Sequence, residues 1–305
     1  MNHIDSLRYF VLIVLILALA SCSGAPQPKN SGIPVVATTS ILANVVSQVG
    51  GDLLSVTTLV PPGSNEHEYQ PAPRDIAAVS DAALVFEVGL GLEEFMATIV
   101  ENAGTQVNPV TVSDGITTLE FSGEQDAHFS ADPHVWLDPA NVVIWVRNIA
   151  DTLVAYDPDH ADIYLENSRA YIAKLNELDA WIADETTRVP PENRKLVTDH
   201  MLFGYFAAKY GFEVVGAVIP SYSSMAQPSA RDLADLEDAI RQYGVKVILV
   251  GNTVNPALSS RVASDTGIEL VPFYTGSLSA PDGPAATYLD YMRYNVSVIV
   301  DALAK

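Results

Sequence analysis
From Pro34 onward, short apolar runs alternate with longer stretches whose apolar residues recur every three or four positions. The first kind predicts strands and the second helices. "PVVATTS" opens the series as a β-rich run, and "ILANVVSQVGG" follows with helical spacing and a glycine stop. "LLSVTTLVPPG" reads as a second strand ending in a Pro/Gly turn, and "PRDIAAVSDA" as a short helix with Pro73 in its first turn. "ALVFEVG" predicts a third strand, "LEEFMATIVENA" a helix and "QVNPVTVS" a fourth strand. Strands that alternate with helices argue for a parallel sheet with right-handed crossovers.

An acid-rich loop, "DGITTLEFSGEQDAHFSADPHVWLDP", interrupts the series. Beyond it "NVVIWVRNIADTLVAYD" predicts a helix that breaks at Asp157–Pro158. The next stretch has no breaker until Pro190, and Tyr164, Ser168, Tyr171, Leu175, Leu178 and Ile182 fall on one helical face. It reads as one long helix, either a strut between two lobes or an ordinary core helix. A second α/β series follows, with strands at "RKLVTD", "FEVVGAVIP", "VKVILVG" and "IELVPF". Helices fall at "MLFGYFAAKYG", "SARDLADLEDAIRQYG" and "PALSSRVASDTG", and a closing helix spans about 284–304. The expected fold class is therefore α/β: two lobes of parallel sheet flanked by helices and joined by one long rigid helix. The expected division is an N-terminal lobe at 34–157, a linking helix at 158–188 and a C-terminal lobe at 189–305.

The start of the chain is different. A polar stretch with Arg8 precedes "YFVLIVLILALA", a run shorter than the roughly 20 residues that span a bilayer. It reads as the core of a signal peptide covering 1–21. "LASC" comes next and resembles a bacterial lipobox, making Cys22 the lipidated first residue of the mature protein. Residues 22–33 are then a Pro/Gly/Ser/Asn tether. A lipid bilayer holding the anchor and an extracytoplasmic location are expected.

Composition narrows the function. The formal net charge is -21, with 16 Lys+Arg against 37 Asp+Glu. Such a field repels phosphate backbones and attracts cations, so no nucleic-acid partner is expected. With Cys22 the single cysteine, neither a disulfide within the chain nor a cysteine zinc site can form. No P-loop, Rossmann glycine fingerprint or G-x-S-x-G elbow is present.

There are six histidines. His3 lies in the signal and His160 opens the long helix. His67, His128, His134 and His200 lie where predicted strands run out, which in parallel α/β sheets is where ligands bind. His134 is held between two Asp/Pro pairs in "DPHVWLDP", a loop stiffened by Pro133 and Pro139. His67, His134 and His200 occupy three such turns drawn from both halves. A lone histidine in a loop is more often a packed bystander than a ligand; three in equivalent turns are not easily explained that way. Neutral imidazole suits Zn, Cu, Ni and Fe, and zinc commonly takes three histidines. Glu66, Glu68, Asp132 and Asp199 sit beside them and could ligate, or orient the rings.

The motifs "PGSNEHEYQPAPRD", "DPHVWLDP", "YLENSRAYIAKLNELD", "TDHMLFGYFAAKYGF", "NPALSSRVASDTG" and "YLDYMRYN", in this order, resemble the zinc/manganese-binding receptors of bacterial metal ABC importers. The resemblance runs from about Val35 to Asn295. It implies a metal between two lobes, ligated by His67, His134 and His200, in a protein that is not an enzyme. Manganese-type members tend to carry a carboxylate at the third position, so His200 shifts the expected cargo from Mn²⁺ to Zn²⁺. Many members have an aspartate as fourth ligand in a "T-D-S" turn; here "YTGSL" puts Gly276 there. Some zinc-type members use a glutamate directly before the first histidine, so Glu66 or a water is the expected fourth ligand, with Asp282 a weaker substitute. Gln227 and Gly251 stand where the family often has glutamate. The loop carrying His128 could gather metal or be a plain solvated loop. The implied partners of this expected monomer are a membrane permease and its ATPase. Two other readings stay open: a three-histidine zinc hydrolase, although no H-E-x-x-H helix is present, and an adhesin role on the same surface.

Overall fold
The computed structural model describes residues 32–104, 107–120 and 131–305. Cys22, the signal, the tether up to residue 31 and His128 lie outside the described residues; Ile33, expected in the tether, instead opens the first strand by pairing with Leu54. Among those described, no helix is long and apolar enough to cross a membrane.

The first sheet contains β1 (Ile33–Thr39), β2 (Leu54–Val60), β3 (Leu84–Glu87) and β4 (Val110–Thr111), all parallel, in the order β2-β1-β3-β4. Five consecutive residues of β1 are buried, as expected of a central strand covered by helices on both faces. Between the strands lie α1 (Ser40–Gly50), α2 (Pro73–Asp81) and α3 (Met96–Asn102). The Thr39 hydroxyl caps α1 by accepting from the Leu42 N–H at 3.2 Å. The fourth strand is shorter than "QVNPVTVS" suggested. Only two residues pair with β3, and the chain then leaves the sheet, with Asn148 donating to the Val112 and Asp114 carbonyls.

The second sheet repeats the design. β5 (Lys195–His200), β6 (Glu213–Ile219), β7 (Val247–Gly251) and β8 (Glu269–Phe273) are parallel, in the order β6-β5-β7-β8. Two long helices separate the sheets in sequence, α4 (Pro139–Tyr156) and α5 (Ala161–Thr186). The remaining helices are α6 (Gly204–Tyr210), α7 (Ala230–Tyr243), α8 (Ala257–Thr266) and α9 (Tyr288–Leu303). A Ser229/Asp232 capping box starts α7, and Gly244 ends it in the left-handed conformation.

The long helix is both strut and core. At 1.5 Å per residue α5 is roughly 39 Å long. Tyr164, Ser168, Tyr171, Leu175, Leu178 and Ile182, the face read from the sequence, are all buried. That face packs on α1 and α4 of the first lobe and on α9 of the second. One apolar cluster therefore spans both lobes, running from Val45 and Trp145 through Leu175 and Leu178 to Phe273, Tyr291 and Ile299. Polar ties reinforce it. Lys209 on α6 bridges Asp138 at 2.6 Å and Asp179 at 2.9 Å. Tyr288 donates to the Trp136 carbonyl at 2.8 Å, and Trp136 Nε1 to the Tyr291 hydroxyl at 3.2 Å.

A core shared in this way predicts one cooperative unfolding transition for both lobes. Leu178→Ala should lower stability by about 2–5 kcal/mol through the cavity it leaves. Urea unfolding followed by far- and near-UV circular dichroism checks both points; a two-step, lobe-by-lobe transition would contradict the shared core.

Candidate metal centre
Each of the three histidines stands at the carboxyl end of a parallel strand or on the loop that follows it. His67 lies in a short 3-10 turn (Glu66–Glu68) beyond β2, positioned by its backbone N–H donating to Asn65 Oδ1 at 3.0 Å. His134 precedes a second 3-10 turn (Val135–Leu137) that leads into α4. His200 is the last residue of β5. Strand ends and loops from both lobes thus deliver their side chains to one point.

There the rings meet. Ring centroids are 5.7 Å apart for His67 and His134, 5.5 Å for His67 and His200, and 5.2 Å for His134 and His200. One nitrogen of each lies within 4.8 Å of the other two. In a tetrahedral zinc site with Zn–N of 2.0–2.1 Å, nitrogens stand roughly 3.3 Å apart. The rings are thus gathered already, and a cation has only to draw them in.

The carboxylates left open by the sequence divide by role. Asp132 Oδ1 lies 2.9 Å from His134 Nδ1, and Asp199 Oδ1 lies 2.6 Å from His200 Nδ1. Each carboxylate also accepts from the backbone N–H of the histidine it touches, which fixes the ring's plane. Asp199 Oδ2 further accepts from the Gly251 N–H. These contacts hold the proton on Nδ1 and turn Nε2 inward, the usual outer-shell arrangement of a metal-ligating histidine. His134 Nε2, His200 Nε2 and Glu66 Oε2 are buried with no hydrogen-bond partner among the described residues. Orphaned polar atoms of this kind call for an ion or other unseen group.

Glu66 is 2 % exposed, and its Oε1 lies 3.9 Å from His67 Nε2. Its carboxylate occupies the space a side chain at Gly276 would need: a Cβ built there would fall on Glu66. Asp282 is exposed on a loop and lies outside the three-histidine cluster. Gln227 is exposed as well. A Cβ at Gly251 would run into Thr275, so no glutamate fits there without moving that side chain. His160 is exposed and pairs with Asp157 at 2.8 Å on the far side of the helix break. Sequence reasoning did not single out Tyr205, which donates to the Asp132 carbonyl at 2.9 Å, or Tyr222, whose ring lies 6.2 Å from His134. Nothing in their local sequence marks either one.

Burial sets the electrostatics. It pulls the His67 and His134 imidazoles well below their usual range, with charge on His200 acting the same way, so both are neutral at neutral pH. Burial also pulls on His200, but Asp199 in contact, helped by Glu66 and Asp132, outweighs it and holds this imidazole above its usual range. Burial raises Glu66 and pushes Asp132 up to about 7.

Two parallel-sheet lobes that bury convergent ligand atoms between them define a solute-binding receptor for a metal ion. The chain matches the family described as "Zinc-uptake complex component A periplasmic" over residues 35–302 and belongs to it. It is 37% identical over 301 residues, covering 97% of this chain and 98% of the relative, to the manganese-binding lipoprotein MntA of Halalkalibacterium halodurans. It is 31% identical over 305 residues, covering 97% and 98%, to the manganese ABC transporter substrate-binding lipoprotein PsaA of Streptococcus mitis. The periplasmic zinc binding protein TroA of Treponema pallidum superposes with a TM-score of 0.82 at 26% identity, covering 90% of this chain and 100% of that one. The protein is therefore an extracytoplasmic, membrane-anchored metal-binding receptor of an ABC importer and not an enzyme.

The raised carboxyls and His200 keep protons in the metal-free site that ligation must expel, since a ligating imidazole is neutral and a ligating or orienting carboxylate ionised. Metal binding should release protons, and affinity should climb as pH rises from about 6 to 8. Calorimetry at pH 7 in buffers of different ionisation enthalpy measures the release; an enthalpy independent of buffer would contradict this electrostatic account.

Proposed function
We propose that the receptor captures Zn²⁺ through His67, His134, His200 and Glu66 and delivers it to a membrane permease driven by an ATPase. The observation that carries the reading is the donor set: three buried imidazoles with one carboxylate. Nitrogen donors suit zinc, while Mn²⁺ is the weakest binder of the divalent series and favours oxygen. Glu66 brings the single carboxylate from the first lobe, into the room that Gly276 leaves in the second. With that carboxylate the shell is four-coordinate and closed, which holds a cargo rather than activating a water. Lipidation of Cys22, after removal of residues 1–21, supplies the anchor, and the residues between Cys22 and the first strand at Ile33 supply the tether.

Manganese is the second reading, favoured by relatives named for it, the MntA and PsaA lipoproteins among them. Because zinc outcompetes manganese at most nitrogen sites in vitro, relative affinity alone does not separate the two. Metal analysis of the receptor isolated from its native membrane, with an absorption-edge spectrum reporting coordination number, does. Four-coordinate Zn²⁺ supports the proposal; six-coordinate Mn²⁺ in the isolated protein would reject it.

Two sets of variants test the ligands. His67→Ala, His134→Ala and His200→Ala should each weaken Zn²⁺ binding by more than about 100-fold, beyond the 10–100-fold that loss of an orienting carboxylate costs at such sites. Glu66→Ala should cost less, since water can stand in. The double variant Glu66→Ala/Gly276→Asp should recover part of that loss by supplying a carboxylate from the opposite lobe. Gly276→Asp alone should bind worse than wild type, because its side chain collides with Glu66. Competition titration against a chelator of known affinity reads all six, and a double variant no better than Glu66→Ala would remove Glu66 from the shell.

A further inference from the structure
One cavity opens at the surface and ends against two of the proposed ligand side chains without passing between the lobes. Its volume is about 270 Å³, and Glu66, His67, Tyr69, Glu94, Phe95 and Thr98 line it. All six belong to the first lobe. Glu94 and Thr98 are exposed at its mouth, while Glu66 stands 2 % exposed at its inner end with Oε2 unpartnered among the described residues. His134 and His200, each 1 % exposed, do not line it. Of the four proposed donors, Glu66 and His67 are the ones that line it, with Glu66 Oε2 and His67 Nε2 still buried behind the wall.

Across the cleft, hydrogen bonds tie the two lobes together. Asn65 Nδ2 donates to Ser224 Oγ at 2.9 Å, the Gly63 N–H to Ser277 Oγ at 2.6 Å and the Leu278 N–H to Ser40 Oγ at 3.0 Å, each across the lobes. Behind these bonds lies the shared apolar core, which any parting of the lobes would expose to water. The cavity wall, by contrast, is fixed within one lobe. Buried Glu93 accepts from Thr38 Oγ1 at 2.6 Å, from the Val88 N–H at 2.7 Å and from the Gly89 N–H at 3.0 Å, pinning the loop that leads into α3.

We propose that this cavity is the port through which a divalent cation reaches and leaves the centre while the lobes stay closed, with Glu94 as its outer carboxylate. The inference rests on the reading of the three-histidine cluster as the metal site. The dimensions suit a hydrated ion: six waters at about 30 Å³ each fit inside the cavity. Glu94 meets the ion while it still carries water, and Glu66 offers the next oxygen. The imidazoles of His67, His134 and His200 then replace the remaining waters. Oxygen donors thus precede nitrogen donors along the path, so the ion exchanges water for ligands one at a time instead of losing its shell at once. The acidic field of the chain brings cations to the mouth.

Stopped-flow mixing of the full chain with Zn²⁺, and of the loaded chain with a chromophoric chelator, measures the two rates. Thr98→Trp narrows the mouth from an exposed position on α3. It should slow association and dissociation together, each by about 10-fold, and leave their ratio, the Kd, unchanged. Glu94→Gln should slow association by up to about 10-fold at low ionic strength, and the difference should vanish at high salt. Unaltered rates in both variants, with wild type binding tightly, overturn the port and leave the metal site standing. A weaker Kd with unaltered association in Glu94→Gln also overturns it. Wild type that binds no Zn²⁺ tightly overturns the site and the port together. Should thermal melting show Thr98→Trp misfolded, Glu94→Gln at low and high salt decides alone.

Discussion
The structure is organised around one costly arrangement: several polar atoms buried at a single point with no partner in the protein. A buried donor or acceptor left unsatisfied costs about 1–3 kcal/mol. His134 Nε2, His200 Nε2 and Glu66 Oε2 all stand in that condition among the described residues. The two imidazoles do not relieve it by turning over, because Asp132 and Asp199 hold their Nδ1 atoms. The fold thus keeps a local cost that a cation at the proposed site would remove. Binding energy is realised where the ligands converge, and little of it is spent in moving them there.

Convergence of the proposed ligands from two sheets requires that the sheets not drift. His67 and His134 come from the first lobe, and His200 with the Gly276 turn from the second. A flexible linker would let that geometry open by several ångströms. Here α5 runs along both lobes, and its apolar face belongs to the same cluster as α1, α4 and α9. The hydrogen-bond chain from Trp136, two residues after His134, through Tyr291 to the Thr275 carbonyl, one residue before Gly276, carries the fit to the edge of the site itself. Dispersion and burial along the helix therefore set the accuracy of a polar centre far from most of the atoms involved. Such rigidity also makes a port within one lobe a cheaper path for the ion than separation of the two.

Much of this was legible in the sequence, for physical reasons that can be named. The buried face of α5 was readable because a helix repeats its environment every 3.6 residues, and six positions kept that period without a breaker. The histidines were readable because strand ends in parallel sheets are where side chains leave the core: His67 lies just past one apolar run, His200 at the end of another, and His134 further along the chain after the fourth strand. What escaped was non-local. The brevity of β4 follows from the hydrogen bonds of Asn148, a residue on a helix that begins well beyond the strand. Whether Asp132 and Asp199 would ligate or orient depended on ring rotation, which spacing does not encode. Tyr205 contacts the site from a helix face that looks like ordinary core. The mouth formed by Glu94 and Thr98 joins the loop after β2 to the start of α3, a proximity no local pattern announces.

The relation between Glu66 and Gly276 shows how such non-local facts reshape a site. Position 276 lies on the second lobe and position 66 on the first, yet one volume serves both side chains. A carboxylate can fill it from either lobe, but not from both. When it comes from Glu66, three of the four proposed donors belong to the first lobe and only His200 to the second. The second lobe then closes on a site already largely built. The charge of the shell is the same in either case, so net electrostatics do not distinguish the two solutions. What differs is the number of ligand bonds across the cleft: one with Glu66 against two with an aspartate at 276. Each bond across the cleft couples metal binding to lobe closure, because a ligand delivers energy only when its lobe is in place. A receptor built as this one is should depend less on lobe movement to hold its ion than a relative with two ligands on the second lobe, and exchange through a port in the first lobe is consistent with that division of labour.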